Sequence, residues 1–139
     1  MAELALAAKV YSGIRGGNEA KKRGDIDARE LRKRASARRA AGHREAEEEQ
    51  RNAELAYSRA LAIAAASGGG VSDPGVVKIF ADLQAEGDFR VLSRLYAGED
   101  EAQGIEYRAD VAQREGRARR KLSRYGALSE AVSFADRYA

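Results

Sequence analysis

The sequence lacks several residue types on which many enzymes and small secreted domains depend. It has no cysteine and no tryptophan, one proline, and one histidine, His43. Without cysteine there is no disulfide framework, thiolate metal site or cysteine nucleophile. A single histidine excludes histidine-pair metal sites and disfavours histidine-based acid–base catalysis. We therefore predict a protein that is not an enzyme, with no catalytic residues, no cofactor and no metal.

Large apolar side chains are also scarce. Alanine accounts for 29 of the 139 residues, and no apolar run reaches the roughly 18 residues that a membrane span requires. Charged residues make up 34% of the chain, with a net charge of +3. A chain rich in alanine, glutamate, arginine and leucine, with one proline, favours long helices.

The clearest local signal is a helix stop followed by a helix start. Gly68, Gly69 and Gly70 can supply a left-handed helix end. Asp73 is a good N-cap residue, and Pro74 suits the first position of a helix. We therefore predict an all-α fold, a long antiparallel helical hairpin with its turn near residues 67–74, flanked by short helices and oligomeric.

Glycines suggest where the hairpin begins and ends. Gly13, Gly16 and Gly17 are helix breakers that follow an apolar start, and Asn18 and Asp25 are both plausible N-caps for the first long helix. The predicted division is a short apolar N-terminal segment at residues 1–17, the helical hairpin at residues 18–125 and an amphipathic C-terminal tail at residues 126–139.

Apolar and small residues keep a helical period on both sides of the turn. From Val76 to Gly116 they recur in steps of three and four that average about 3.6 residues, the period of a nearly straight helix. From Ala28 to Ala64 mostly alanines and glycines keep the same phase. A turn near residue 70 places opposite each other residues whose numbers add up to about 140.

This register predicts which charges face each other. The acidic run from Glu45 to Glu49 should face Arg90 and Arg94. The acidic residues at positions 99–101 should face three arginines, Arg38, Arg39 and Arg44. Exposed pairs of this kind contribute only about 0–1 kcal/mol each, so they fix the register more than the stability.

Farther from the turn, both helices are basic. These residues are the candidate contacts to an anion, DNA or a partner: Lys21, Lys22, Arg23, Arg29, Arg32, Lys33, Arg34, Arg114, Arg117, Arg119, Arg120, Lys121 and Arg124. A basic helix face is often only solvated, but like-charged arms can also hold DNA phosphates or an acidic protein surface. Anionic lipid is a further alternative, because the apolar residues of positions 4–14 adjoin Lys9 and Arg15.

Two helices alone cannot cover all the large side chains. Six of them spread over more than one helix face: Tyr57, Leu83, Leu92, Leu95, Tyr96 and Tyr107. Because helices depend on packing for most of their stability, we expect self-association or a partner protein.

Three other features have simpler interpretations than a site. The glycines at 68–70 lack the Gly-Lys-Ser/Thr of a phosphate loop, and Asp73 would repel phosphate, so we interpret them as a turn. His43 lies among charged residues and is expected to be exposed. The run from Glu45 to Glu49 points in different directions around a helix, so a solvated or ion-paired face is favoured over a metal site.

Several stretches together resemble a known family. They are the segment Ala64–Pro74, followed by Val76 and Val77, then residues 86–90, residues 95–99 and the Arg-Gly-rich residues 114–120. Over roughly residues 25–125 the chain resembles the smallest internal virion protein, a core or ejection protein, of T7-like short-tailed bacteriophages and related prophages.

The resemblance implies a non-enzymatic structural protein inside the capsid. Such proteins assemble in multiple copies in a core near the portal, leave ahead of the genome and help deliver it through the host envelope, where membrane contact follows ejection. The implied partners are further copies and other virion proteins, the portal or core proteins. Contact with DNA phosphates is a separate expectation, which rests on the basic residues above. No catalytic residue is carried over, and only the hairpin turn from Ser67 to Pro74 transfers. The alternative is a stand-alone basic helical nucleic-acid-binding protein.

Overall fold

The protein consists of two long helices packed against each other. The computed structural model describes residues 2–68 and 73–138, with side chains for residues 7–68, 73–129, 132 and 133. Helix α1 spans Ala2–Ala66, helix α2 spans Pro74–Tyr138, and the described residues include no strand. The predicted all-α class, with two long helices packed together, is confirmed.

The end of α1 and the start of α2 have clear local causes. Gly68 adopts a left-handed backbone conformation with φ of 75°, which glycine accepts without steric cost. On the other side, the Asp73 carboxylate accepts a hydrogen bond of 2.8 Å from the Gly75 N–H, and the Asp73 carbonyl accepts the first helical bond from Val77 at 2.9 Å. Two predicted turn residues, Gly69 and Gly70, lie outside the described residues.

The prediction of short flanking helices is wrong. Helix α1 runs without interruption through Gly13, Gly16 and Gly17, past both proposed N-caps, and α2 continues through Gly126. A glycine inside a helix costs about 1 kcal/mol relative to alanine, which packing against a second helix can offset. The predicted domain limits at residues 17/18 and 125/126 fall inside these two helices.

The chain divides into two compact units, each formed by a stretch of both helices. Unit 1 comprises Met1–Arg34 and Gly104–Ala139, and unit 2 comprises Ala35–Gln103. Within each unit the two stretches run antiparallel, because residues farther along α1 contact residues earlier in α2.

Unit 1 has a seam of small residues. Ala28 and Ala109 are completely buried, and the backbones of Gly24 and Gly116 lie directly against each other. A methyl group added to Gly24 would lie 2.7 Å from the carbonyl oxygen of Ala112, closer than van der Waals contact permits. Small residues therefore let the two backbones approach closely.

Unit 2 repeats this arrangement around Gly42 and Gly98, which also meet backbone to backbone. Among the described residues of this unit, the buried ones are Ala35, Gly42, Ala46, Phe80, Gly87, Gly98 and Ala102. Phe80 is the one large side chain among them, and its ring contacts that of Tyr57 with centroids 5.0 Å apart. In both units the facing glycines have numbers that add up to about 140, so the predicted register is confirmed.

Ion pairs across the seam of unit 2 also follow the register. Arg38 binds the Glu101 carboxylate through two nitrogens, and Arg39 binds Glu99 with distances of 2.7 and 3.0 Å. Arg94 Nη2 lies 3.2 Å from Glu49 Oε1. These predicted facing pairs are confirmed.

Two arginines of the predicted set point elsewhere. Arg90 Nε pairs instead with Glu86 of its own helix at 3.0 Å, and Arg44 Nε donates to the Ala40 carbonyl at 3.2 Å. Both are satisfied by a neighbour one turn away, which costs less side-chain ordering than a reach across the seam.

Arg38 and Arg39 lower the pKa values of the carboxylates that they bind across the seam. The hydrogen bond from Arg39 holds the pKa of Glu99 below its ordinary value, with a smaller contribution from Gln103. The hydrogen bond from Arg38 does the same to the pKa of Glu101, and the Glu101 carboxylate in turn raises the pKa of Arg38. The ionised forms are therefore favoured in the folded unit.

Candidate anion-binding groove

All thirteen basic residues singled out in the sequence belong to unit 1. Lys21 and Arg120 are half-buried there, and the other eleven are exposed. In the structure these thirteen residues have different neighbours, so they do not form one site.

Five of the thirteen line one groove between the helices. The groove has a volume of about 340 Å³, and its lining residues are Lys21, Arg117, Arg120, Lys121 and Arg124. We call this the basic groove. Among the residues with described side chains, the groove has no carboxylate and no apolar side chain in its lining.

Helix geometry explains why these residues converge. Arg117, Arg120, Lys121 and Arg124 are spaced by three, four and seven residues along α2, so they share one side of the helix. Lys21 comes from α1, where its Cα would be 3.4 Å from a methyl group on Gly116. The glycines at 17, 24 and 116 thus bring the positive α1 side chain beside the positive row on α2.

The groove's cations are not neutralised within the described part of the chain. None of the five forms an ion pair there. Arg120 is the clearest case, because its Nε is buried and has no hydrogen-bond acceptor among the described residues. Like charges at close range repel one another, and an anion in the groove would relieve that repulsion.

A second groove of unit 1 differs in charge. It measures about 380 Å³, and its charged lining residues are Glu19, Arg23, Asp27, Glu115 and Arg119, of both signs. Arg119 Nη2 lies 3.7 Å from Glu115 Oε2 within it. We call this the mixed groove. Because Arg119 and Lys121 are about 200° apart around α2, the two grooves lie on opposite sides of the helix pair.

Three of the six remaining predicted basic residues make contacts elsewhere. Arg32 Nη2 pairs with Asp110 Oδ1 at 2.9 Å, and Arg29 Nε donates to the Asp25 carbonyl at 3.3 Å. Lys33 also interacts within the chain. Lys22, Arg34 and Arg114 line neither groove. Sequence reasoning grouped all of these together because charge alone carries no information about the side of the helix.

Unit 2 contains a groove that sequence reasoning missed. It has a volume of about 530 Å³ between the two helices and includes Tyr57, Leu83, Asp88 and Val91 in its lining. The sequence does contain an indication of this groove. Gly87 falls opposite Ala53 in the predicted register, and two small facing residues leave room for a groove between the larger side chains around them.

Other candidate chemistry is not assembled in the described residues. His43 is exposed, and no three His, Cys, Asp or Glu side chains of the described part lie close enough to hold a metal ion. Along the described stretches of α1 and α2, no segment combines the length and hydropathy of a membrane span.

Comparison of the chain with protein-family models, with curated proteins and with solved structures found no match.

Proposed function

We propose that this chain is a non-enzymatic structural protein that assembles with further copies of itself or with other proteins through its apolar surface. The observation that carries the proposal is a second apolar face on α2. In unit 2, Phe89, Leu92 and Tyr96 are 68%, 50% and 72% exposed. Their spacing of three and four residues places them on one side of the helix.

This exposed stripe lies opposite the seam. Gly87, Val91 and Gly98 face α1, and the stripe is displaced from them by about half a turn. A helix with apolar residues on two opposite sides is suited to a position between two neighbours, and α1 covers one side only. In the described part of unit 2, the exposed large apolar residues are Leu55, Tyr57, Leu61, Ile63, Val77, Ile79, Phe89, Leu92 and Tyr96.

The exposed residues include four of the six that the sequence singled out for partner contact. Tyr57, Leu92, Tyr96 and Tyr107 are exposed, whereas Leu83 and Leu95 are half-buried. Burying a large apolar side chain is worth about 1.5–3 kcal/mol, so even a few of them in an interface contribute strongly to assembly.

The biological setting follows from the family resemblance. We infer an internal core or ejection protein of a short-tailed bacteriophage or related prophage. It assembles near the portal with other virion proteins inside the capsid and, after ejection, enters the host envelope, where it helps deliver the genome. A helix pair with a seam of alanine and glycine buries few large side chains, so it can exchange contacts with neighbours at modest cost.

Light scattering of the purified chain tests the assembly. We expect a discrete oligomer of more than two 15.0 kDa chains, with a mass independent of salt. The triple variant F89S/L92S/Y96S replaces the stripe with serine, and its mass should fall toward that of a single chain. Circular dichroism should show an unchanged helix content. A control, I63S/V77S/I79S, removes three exposed apolar residues near the turn that are not part of the stripe, and it should leave the mass unchanged. A wild-type mass of one chain at every concentration would contradict the proposal.

Mass spectrometry of particles tests the setting. Particles of the phage or prophage that encodes the chain should be treated with protease, so that only enclosed proteins survive, and then analysed for its peptides. We expect protected peptides that disappear from particles emptied of DNA. Their absence from intact protected particles would contradict the virion assignment and leave the assembly proposal standing.

One observation favours the alternative, a stand-alone basic helical nucleic-acid-binding protein. It is the concentration of thirteen candidate basic residues in unit 1, with five in a groove that has no carboxylate. The two functions differ in mass behaviour. A stand-alone binder should be a monomer or dimer before DNA is added and should then shift to a salt-sensitive complex with duplex DNA, whereas the assembling protein should already be a larger oligomer without DNA.

A further inference from the structure

We propose that the basic groove of unit 1 binds the phosphate backbone of duplex DNA, and that the mixed groove on the other side of the same helices does not. The inference is independent of assembly through the unit 2 stripe, because its residues all belong to unit 1. It assigns DNA phosphates as the ligand of five residues, out of the thirteen basic residues that the sequence analysis could not tell apart.

The first argument is the asymmetry of charge between the two grooves. If the basic side chains were only solvated, we would expect them to be distributed equally between the two sides of the helix pair. Here every lining residue of one groove is a cation, while the other contains three acidic and two basic side chains. Arg119 in the mixed groove has Glu115 as partner, whereas Arg120 Nε has no acceptor among the described residues.

The second argument is the length of the cationic row. Arg117 and Arg124 are seven residues apart on α2, about 10 Å at 1.5 Å per residue. Successive phosphates of one DNA strand advance by about 3.4 Å along the duplex axis and are farther apart in space, because the strand winds around that axis, so the row can reach more than one phosphate. A single phosphate group would neutralise only one or two of the five cations.

The third argument distinguishes DNA from a membrane surface. A helix that lies in a lipid interface inserts an apolar face and keeps cations at its border. The basic groove has no apolar lining residue to insert, and it is concave between two helices. Three of its five residues are arginines, whose planar guanidinium matches phosphate oxygens in pairs.

Fluorescence anisotropy with a labelled duplex of about 20 base pairs tests the proposal on the full chain. Binding should be measured from low to moderate salt for the wild type, for R117Q/R124Q in the basic groove, and for R23Q/R119Q in the mixed groove. Both doubles remove two positive charges from exposed positions, so their net charge is identical.

We expect R117Q/R124Q to weaken binding by about tenfold or more and to reduce the slope of log affinity against log salt by about 2, since each phosphate contact contributes about 0.9 to it. R23Q/R119Q should weaken binding by less than about threefold. R117K/R124K retains the charges and should keep the wild-type slope. Circular dichroism must show equal helix content in all four proteins.

Three outcomes would overturn the proposal. One is the absence of duplex binding by the folded wild type at low salt. Another is an equal loss in both glutamine doubles, which would mean that net charge alone governs binding. The third is a loss of binding to phosphatidylserine vesicles in R117Q/R124Q with unchanged DNA binding, which would assign the groove to lipid. Light scattering of the same proteins reports separately on assembly.

Discussion

At the scale of single residues, the glycines of the seam determine how closely the helices pack. Gly24 contacts backbone atoms of α2 within unit 1, whereas Gly104 of the same unit has no atom within 4 Å of the place where a methyl group would lie. Substitutions at Gly24 and Gly104 can therefore distinguish two effects of glycine, the close packing that it permits and its low intrinsic helix propensity.

We predict opposite effects of alanine at these two positions. Gly24→Ala should lower the free energy of unfolding by about 1–3 kcal/mol, because a methyl group 2.7 Å from the Ala112 carbonyl oxygen forces the backbones apart. Gly104→Ala should raise it by up to about 1 kcal/mol through helix propensity. Urea unfolding followed by circular dichroism at one protein concentration measures both. Stabilisation by both substitutions would mean that the close approach at Gly24 is absent in solution.

The paired carboxylates of unit 2 give a second residue-scale prediction, for the dependence of stability on pH. Glu99 and Glu101 have lowered pKa values in the folded unit because Arg39 and Arg38 bind their ionised forms. A lowered folded pKa stabilises fully above the unfolded value, near 4.5, and that contribution is lost as pH falls through the folded value. We therefore expect stability to decrease as pH is lowered from about 5 toward 3.

Neutral variants test this assignment. E99Q/E101Q should lose stability at neutral pH and show a smaller further loss on acidification than the wild type. A matched control is E47Q/E48Q, which removes the same number of carboxylates from unit 2, both at exposed positions. Thermal unfolding from pH 3 to pH 7 measures all three proteins. If the control flattens the pH dependence as much as E99Q/E101Q does, the cross-seam pairs are not its source.

At the scale of elements, α2 begins where Asp73 supplies an acceptor to the free N–H groups of the first turn. We predict that Asp73→Ala lowers the free energy of unfolding by about 0.5–2 kcal/mol, because the 2.8 Å bond to the Gly75 N–H is lost. Asp73→Asn should retain most of the stability. Asp82→Ala, an exposed position inside α2, serves as the control and should change stability little. An equal loss for D73A and D82A in urea unfolding would contradict a capping role.

The helix pair was predictable from sequence because its determinants are local. The period of small residues fixes the seam, Asp73 and Pro74 start α2, and the turn position fixes which residues meet. Gly13 misled the prediction, because a breaker in an isolated helix becomes a tolerated residue when a neighbouring helix packs there. Ala127, for example, would lie 3.4 Å from a methyl group on Gly13. A methyl group on Gly126 would have no atom within 4 Å, so at this position the helix is held by its neighbours in sequence, such as the buried Ala127.

The candidate groove was only partly predictable. Composition located the excess of positive charge at the ends of the hairpin far from the turn, and the structure places all thirteen residues in unit 1. Which of them share a groove depends on the angular position around each helix and on the partner carboxylates. Arg32 illustrates the difference, because Asp110 across the seam already pairs with it.

At the scale of the whole molecule, the described residues include one large apolar side chain that is buried, Phe80, and seventeen that are exposed. A core this small gives a single chain little stability. In the proposed assembly, contacts with neighbouring copies supply the rest. Association then couples to unfolding by mass action, because further copies bind the folded chain and not the unfolded one.

We therefore predict that the midpoint of thermal unfolding rises with protein concentration. Between about 1 and 100 µM, coupling to association should raise it by several degrees, since a hundredfold change in concentration is worth about 2.7 kcal/mol per binding step. In F89S/L92S/Y96S the midpoint should be independent of concentration, and in I63S/V77S/I79S the dependence should persist. Circular dichroism at 222 nm in cells of different path length measures this directly. A wild-type midpoint that stays constant over the whole range would show that the helix pair is stable by itself, and the stripe on α2 would then need another explanation than assembly.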